Sequence, residues 1–158
     1  VVATLFDSIG IADYKVEIGG EIVVKGLNSK GSDWRIGISK PTDDSLATET
    51  ELQTVLELSD RAMATSGNYR NFYYKDGKKY AHTINPATCR PVNHNLLSVT
   101  VLAENCAVAD AYATAMMVLG LERSLELCKK LENVDAYFIY QDNEGVIQIC
   151  TTPDFPID

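Results

Sequence analysis

Residues Leu96–Leu119, reading LLSVTVLAENCAVADAYATAMMVL, constrain the fold more than any other stretch of the chain. Leu96–Leu102 predicts a central strand, with Val99 and Val101 alternating with Ser98 and Thr100. Cys106–Leu119 predicts a helix, and Gly120 breaks its pattern. On that helix Asp110 and Thr114 stand four residues apart, so their side chains share a face one turn apart. A carboxylate and a hydroxyl so placed can share a hard cation such as magnesium, which takes oxygen ligands. Spacing alone favours the plainer reading, a solvated helix surface. The helix residues Ala107, Val108, Ala109, Ala111, Ala113, Ala115, Met116 and Met117 are all small or apolar, which predicts a mostly buried helix. A buried carboxylate needs a partner. No lysine or arginine lies between Pro91 and Leu121, so a metal or a group from elsewhere in the fold has to supply it.

The chain opens at Val1 without a methionine, inside a predicted helix in which Val2, Leu5, Phe6 and Ile9 keep helical spacing and Gly10 fits a cap. The expectation is the C-terminal part of a longer protein. Val16 and Ile18, then Ile22 and Val24, give strand character on both sides of Gly19-Gly20. Adjacent glycines there fit either an ordinary hairpin or bulge, or a close approach by a ligand. Further strands are predicted at residues 33–41, at Val55–Leu58, at Ala62–Thr65, and on either side of an Asp76-Gly77 turn, with a surface loop over residues 42–50. A second helix is predicted for Leu121–Leu131, a hairpin for Asp135–Tyr140 and Gly145–Cys150, and an irregular tail after it. This order predicts a single α+β domain whose largely antiparallel sheet carries its helices on one face.

At 158 residues, 46% of them hydrophobic, the chain has material for one core. Its net charge of −8 argues against nucleic acid, whose phosphates it would repel. Four separated cysteines form no CxxC pair and no zinc-finger spacing; Cys106 and Cys128 fall on apolar helix faces as small hydrophobes.

Two more segments carry chemistry. Thr65-Ser66-Gly67-Asn68-Tyr69 is small and polar, and reads either as a plain turn or as a loop offering N–H groups and hydroxyls to a phosphate or a polar ring. His82, near a strand end, fits a hydrogen-bonded structural residue or a base that titrates near neutrality. His94 lies in a polar loop and reads as surface.

The succession EIGGEIVVKG, WRIGISKP, ATSGNYRNFY, KKYAHTINPATCRPV and SVTVLAENCAVADAYATAMMVLG resembles the flavin transferase (ApbE) family over nearly the whole chain. Several motifs in the same order make the resemblance specific. It implies a magnesium-dependent enzyme that uses FAD as substrate, attaches FMN to a threonine or serine of an acceptor protein and releases AMP. It also implies a fragment that lacks the N-terminal half of the flavin site and one metal contact. Residues 1–158 would then be the C-terminal part of a single domain, able to fold but weak in binding FAD and inactive alone. By position, the resemblance puts the metal on Asp110 and Thr114, the catalytic histidine on His82, and flavin contacts on Gly19, Gly20, Thr65, Ser66, Gly67, Tyr69 and Arg70. It implies a flavoprotein subunit of a membrane redox complex as acceptor, and a lipoprotein at the periplasmic face of the inner membrane. An FAD pyrophosphatase giving FMN and AMP, or a non-catalytic flavin-binding module, are the rival classes.

The chain departs from the family pattern at Cys89, where Pro-x-Thr-Gly is usual, and at Asn85, where aspartate is common. If the glycine position needs a positive φ, cysteine strains the turn.

Overall fold

The computed structural model describes residues 1–41, 51–68, 72–75, 78–81 and 83–157. A helix α1 (Val2–Ser8) leads into a hairpin, β1 (Tyr14–Ile18) and β2 (Glu21–Lys25). There follow a ribbon, β3 (Trp34–Ser39) and β4 (Leu52–Leu58), and a strand β5 (Arg61–Gly67). Two short ribbons come next, β6 (Phe72–Lys75) with β7 (Lys78–Ala81), and β8 (Ile84–Asn85) with β9 (Arg90–Pro91). The long strand β10 (Leu96–Ala103) then feeds α2 (Cys106–Leu119) and α3 (Leu121–Cys128), and β11 (Asp135–Gln141) and β12 (Ile147–Thr151) close the chain. Six strands form one antiparallel sheet in the order β1-β2-β5-β10-β11-β12.

The helices pack on one face, as the sequence predicts. Ala109, Ala113, Met116 and Met117 are fully buried against Ala64, Val99, Val101 and Phe138. Their spacing makes one helical stripe, and its alanines let α2 approach the sheet closely. The opposite face is covered too. Ile36, Ile38, Leu56 and Leu58 of the β3–β4 ribbon pack on Ile22, Met63, Leu102 and Ile139. This second layer buries the polar members of the β10 alternation: Ser98 is 2% and Thr100 1% exposed. Thr100 is satisfied there by Thr65, their hydroxyl oxygens 2.8 Å apart. A bulge between Leu96 and Ser98 shifts the parity of β10, so that Leu96 joins the helix-side core.

Local chemistry sets the ends of α2. Asn105 Oδ1 accepts the Val108 N–H at 3.0 Å, the N-cap bond that satisfies an otherwise orphaned helix donor. Asn105→Ala is expected to lower stability by about 1 kcal/mol in urea unfolding. At the other end, Ser124 Oγ lies 3.0 Å from the Met116 carbonyl oxygen and 2.6 Å from that of Gly120. Helix α3 stops at Cys128, short of the predicted Leu131, because Lys129 and Lys130 continue only as a turn. The Asp142–Gly145 turn of the last hairpin is present, its Asp142 carbonyl accepting the Gly145 N–H at 3.1 Å. The region predicted as a loop over residues 42–50 and the Asp76-Gly77 turn lie outside the described residues, although Lys75 pairs with Lys78 as a two-residue connection requires.

Candidate functional site

Helix α2 runs back along β10. It starts beside Ala103, and near its C-terminus the Met117 carbonyl accepts the His94 Nε2–H at 2.7 Å. The Leu96 N–H points at His94 Nδ1 at 3.3 Å, so the Nε2–H tautomer satisfies both contacts. His94 is a surface residue, as read from sequence, and it also ties the loop before β10 to the end of α2. No sequence signal announces this, because its partner is a backbone carbonyl 23 residues away.

Asp110 and Thr114 do share one face of α2, and both are exposed, as are Ala107 and Ala111 beside them. The expectation of a buried carboxylate is corrected here. The helix turns its 109-113-116-117 stripe to the sheet, and Asp110 sits about 100° around from Ala109, on the side away from it. Desolvation thus does not demand a counter-charge. The case for a metal rests on the donor set: a carboxylate and a hydroxyl one turn apart, flanked by methyl groups that leave room for a ligand.

Strand β5 contains Thr65-Ser66-Gly67 within its hydrogen-bonded length, so these residues are strand and not loop. Alternation sends the two hydroxyls to opposite faces. Ser66 pairs with Val99 on the helix side, whereas Thr65 joins Thr100 on the ribbon side. Ser66 lies four strand residues from the Ala62↔Ala103 pair, about 13 Å, and Thr114 eight helix residues from Cys106, about 12 Å. They therefore stand at a similar level along the sheet.

The glycines fall at the same level. Gly19-Gly20 is the two-residue turn of the β1–β2 hairpin, with φ of 68° and 105°, which only glycine adopts without strain at both positions. Continuing the β2–β5 register past Ile22↔Met63 puts Glu21 opposite Ala64 and this exposed turn beside Thr65 and Ser66. Between hairpin and helix lies a cleft of about 620 Å³ lined by Val2, Val16, Ile18, Glu21, Cys106 and Ala107, among others. Burial, and secondly the Glu21 carboxylate, push the Cys106 thiol above its ordinary range, so it stays protonated and unreactive near neutrality. Burial likewise pushes Cys128, in the helix-side core, up to about 11.

Along the sheet, Thr114 thus stands level with Ser66 and the Gly19-Gly20 turn, Asp110 lies one helical turn nearer the start of α2, and the Thr65 side chain is on the opposite face of the sheet from the helix. Tyr69, Arg70 and His82 lie outside the described residues. The Pro86–Cys89 turn is described. Asn85 Oδ1 accepts the Ala87 N–H at 2.9 Å, and its carbonyl accepts those of Thr88 and Cys89. The amide therefore keeps the acceptor role that an aspartate would fill. Cys89 has φ of 54°, the left-handed conformation that glycine would adopt freely. Cys89→Gly is expected to raise stability by roughly 0.5–1 kcal/mol, since relief of about 1–2 kcal/mol of left-handed strain outweighs the added unfolded-state entropy. A shift of the urea midpoint at constant m-value measures it.

These features define a class: an α+β fold whose antiparallel sheet is covered by helices on one face and a β-ribbon on the other, with an oxygen-donor pair on the outer side of the covering helix. Residues 1–138 match the model of the ApbE family, and the chain belongs to that family. It is 48% identical over 145 residues to the FAD:protein FMN transferase of Vibrio cholerae serotype O1, covering 92% of this chain and 42% of that protein. The Escherichia coli K12 protein of the same name is 41% identical over 143 residues, covering 90% of this chain and 39% of its own length. Among solved structures, the flavin transferase ApbE from Vibrio cholerae superposes with a TM-score of 0.81 at 40% identity, over 98% of this chain and 47% of that one. The apo form of the Pseudomonas stutzeri flavinyl transferase ApbE gives 0.77 at 34% identity, over 96% and 45%. The chain therefore spans about two fifths of the length of the curated relatives it matches.

Proposed function

We propose that the protein carrying this chain transfers FMN from FAD to a threonine or serine of an acceptor protein, with magnesium, releasing AMP. The observation that carries the reading is the Asp110–Thr114 oxygen-donor pair on one exposed face of α2, with Thr114 at the level along the sheet where the Gly19-Gly20 turn lies beside the Ser66 end of β5. Relatives that align with nine tenths or more of this chain bear the name FAD:protein FMN transferase.

The donor chemistry of Asp110 and Thr114 suits magnesium, which takes oxygen ligands and retains waters. Among the described residues no cluster of three or more acidic, cysteine or histidine side chains surrounds them. Two positions come from α2, and the others fall to phosphate oxygens, water and the remainder of the polypeptide. When bound, the ion supplies charge neutralisation at the pyrophosphate. The acceptor oxygen bonds to the FMN phosphorus as the bond to the AMP oxygen breaks. His82 takes the hydroxyl proton, making a weak nucleophile competent near neutral pH. Ser66 and the free amides of the Gly19-Gly20 turn donate hydrogen bonds to the substrate, and Tyr69 and Arg70 complete the flavin contacts. The acceptor is a flavoprotein subunit of a membrane redox complex, met at the periplasmic face of the inner membrane by a lipoprotein. No helix among the described residues is long and apolar enough to cross a membrane.

The complete polypeptide, incubated with FAD and a flavin-free subunit of such a complex, is expected to leave acid-stable flavin on the acceptor and one AMP per flavin. Chelation of magnesium should stop both. Free FMN without labelled acceptor would replace the transferase by a hydrolase.

A further inference from the structure

The stretch of residues 68–83 connects the end of β5 in the main sheet to the separate β8–β9 ribbon. Its interior carries the β6–β7 ribbon, where Phe72 pairs with Ala81. At its neck, Thr83 Oγ1 donates to Asn68 Oδ1 at 2.7 Å. Thr83 is 8% exposed, so this bond is shielded from competing water. Both partners are anchored by backbone as well. The Asn68 N–H donates to the Leu97 carbonyl of β10 at 2.9 Å, and the Thr83 carbonyl accepts the Val92 N–H at 3.0 Å. One side-chain hydrogen bond therefore joins the flank of the main sheet to the segment leading into the Asn85–Cys89 turn.

What stands next to this bond in sequence gives it meaning. Gly67 and Tyr69 flank Asn68, and His82 precedes Thr83. Each of these neighbours is one peptide unit, about 3.8 Å between Cα atoms, from a member of the bonded pair. Resting on the transferase reading, we infer that Thr83 is a positioning residue for the transfer step. Its hydroxyl, bonded to Asn68, ties the residue that follows His82 in the chain to the residue that follows the Thr65–Gly67 strand end. Thr83 touches neither flavin nor acceptor in this role; it acts through the chain on either side.

Thr83→Val keeps the shape and removes the donor, leaving a half-buried amide oxygen without this partner. Thr83→Ser keeps the donor. In the complete polypeptide, with FAD, magnesium and a flavin-free membrane flavoprotein subunit as acceptor, Thr83→Val should lower kcat by about 10- to 100-fold, the scale of a small misplacement of reacting groups. FAD affinity, read by flavin fluorescence, should change by less than about threefold on the same scale of reasoning. Thr83→Ser should restore most of kcat, and Asn68→Ala added to Thr83→Val should cost little more than Thr83→Val alone. Rates are compared at a temperature where thermal melts show every variant folded. A Thr83→Val protein with wild-type kcat, a loss that serine does not rescue, or a double variant whose losses multiply would each overturn the positioning role. Wild-type protein that labels no acceptor would instead overturn the transferase reading, and the role of Thr83 with it.

Discussion

Asp110→Ala is expected to reduce flavin transfer by roughly a thousandfold while leaving the protein as stable as wild type. Loss of a ligand to a charge-neutralising cation would cost several kcal/mol of transition-state stabilisation, and each 1.36 kcal/mol is a factor of ten in rate. The folding side of the ledger is small because Asp110 is exposed in the middle of α2 and, among the described residues, accepts no hydrogen bond. Surface substitutions of this kind stay within about 0.5 kcal/mol, and alanine has the better helix propensity. Activity and stability should therefore separate cleanly, which a buried structural carboxylate would not allow. Transfer assays across a magnesium titration, beside thermal melts, measure both. A variant that matches wild type at limiting magnesium would remove Asp110 from the metal site.

His82→Ala is expected to lower the transfer rate by about 10²–10⁴-fold with FAD binding largely retained. A general base works in its neutral form, so the wild-type rate should fall as pH drops and the imidazole takes up a proton. The variant should lose that limb of the profile. If the substitution instead abolishes FAD binding and leaves residual turnover with the wild-type pH profile, the imidazole is a ligand contact and the proton goes elsewhere.

Much of the architecture was legible in the residues. The limits of α2, Cys106 and Leu119 with Gly120 after it, came from the residue pattern, and the structure adds the Asn105 cap that bonds three residues on. The same holds for the Gly19-Gly20 hairpin and for the strained Cys89, whose left-handed φ follows from its place in a turn where glycine is usual. The spacing of Asp110 and Thr114 fixed that they share a helix face.

Which face that is could not be read locally. An alanine-rich helix offers small residues all round, and only the sheet beneath chose the 109-113-116-117 stripe as the buried one, leaving Asp110 outward. Likewise the polar Ser98 and Thr100 imply a solvated strand face until the β3–β4 ribbon, from a distant part of the chain, covers it. Thr65 and Ser66 look like one loop motif, yet strand pairing with β10 sends them to opposite sides. The His94–Met117 and Thr83–Asn68 bonds depend on partners 23 and 15 residues away. Sequence determined the elements and the donor types, because these depend on neighbours a few residues apart. Tertiary structure decided burial, facing and convergence, because those depend on which surfaces exclude water together.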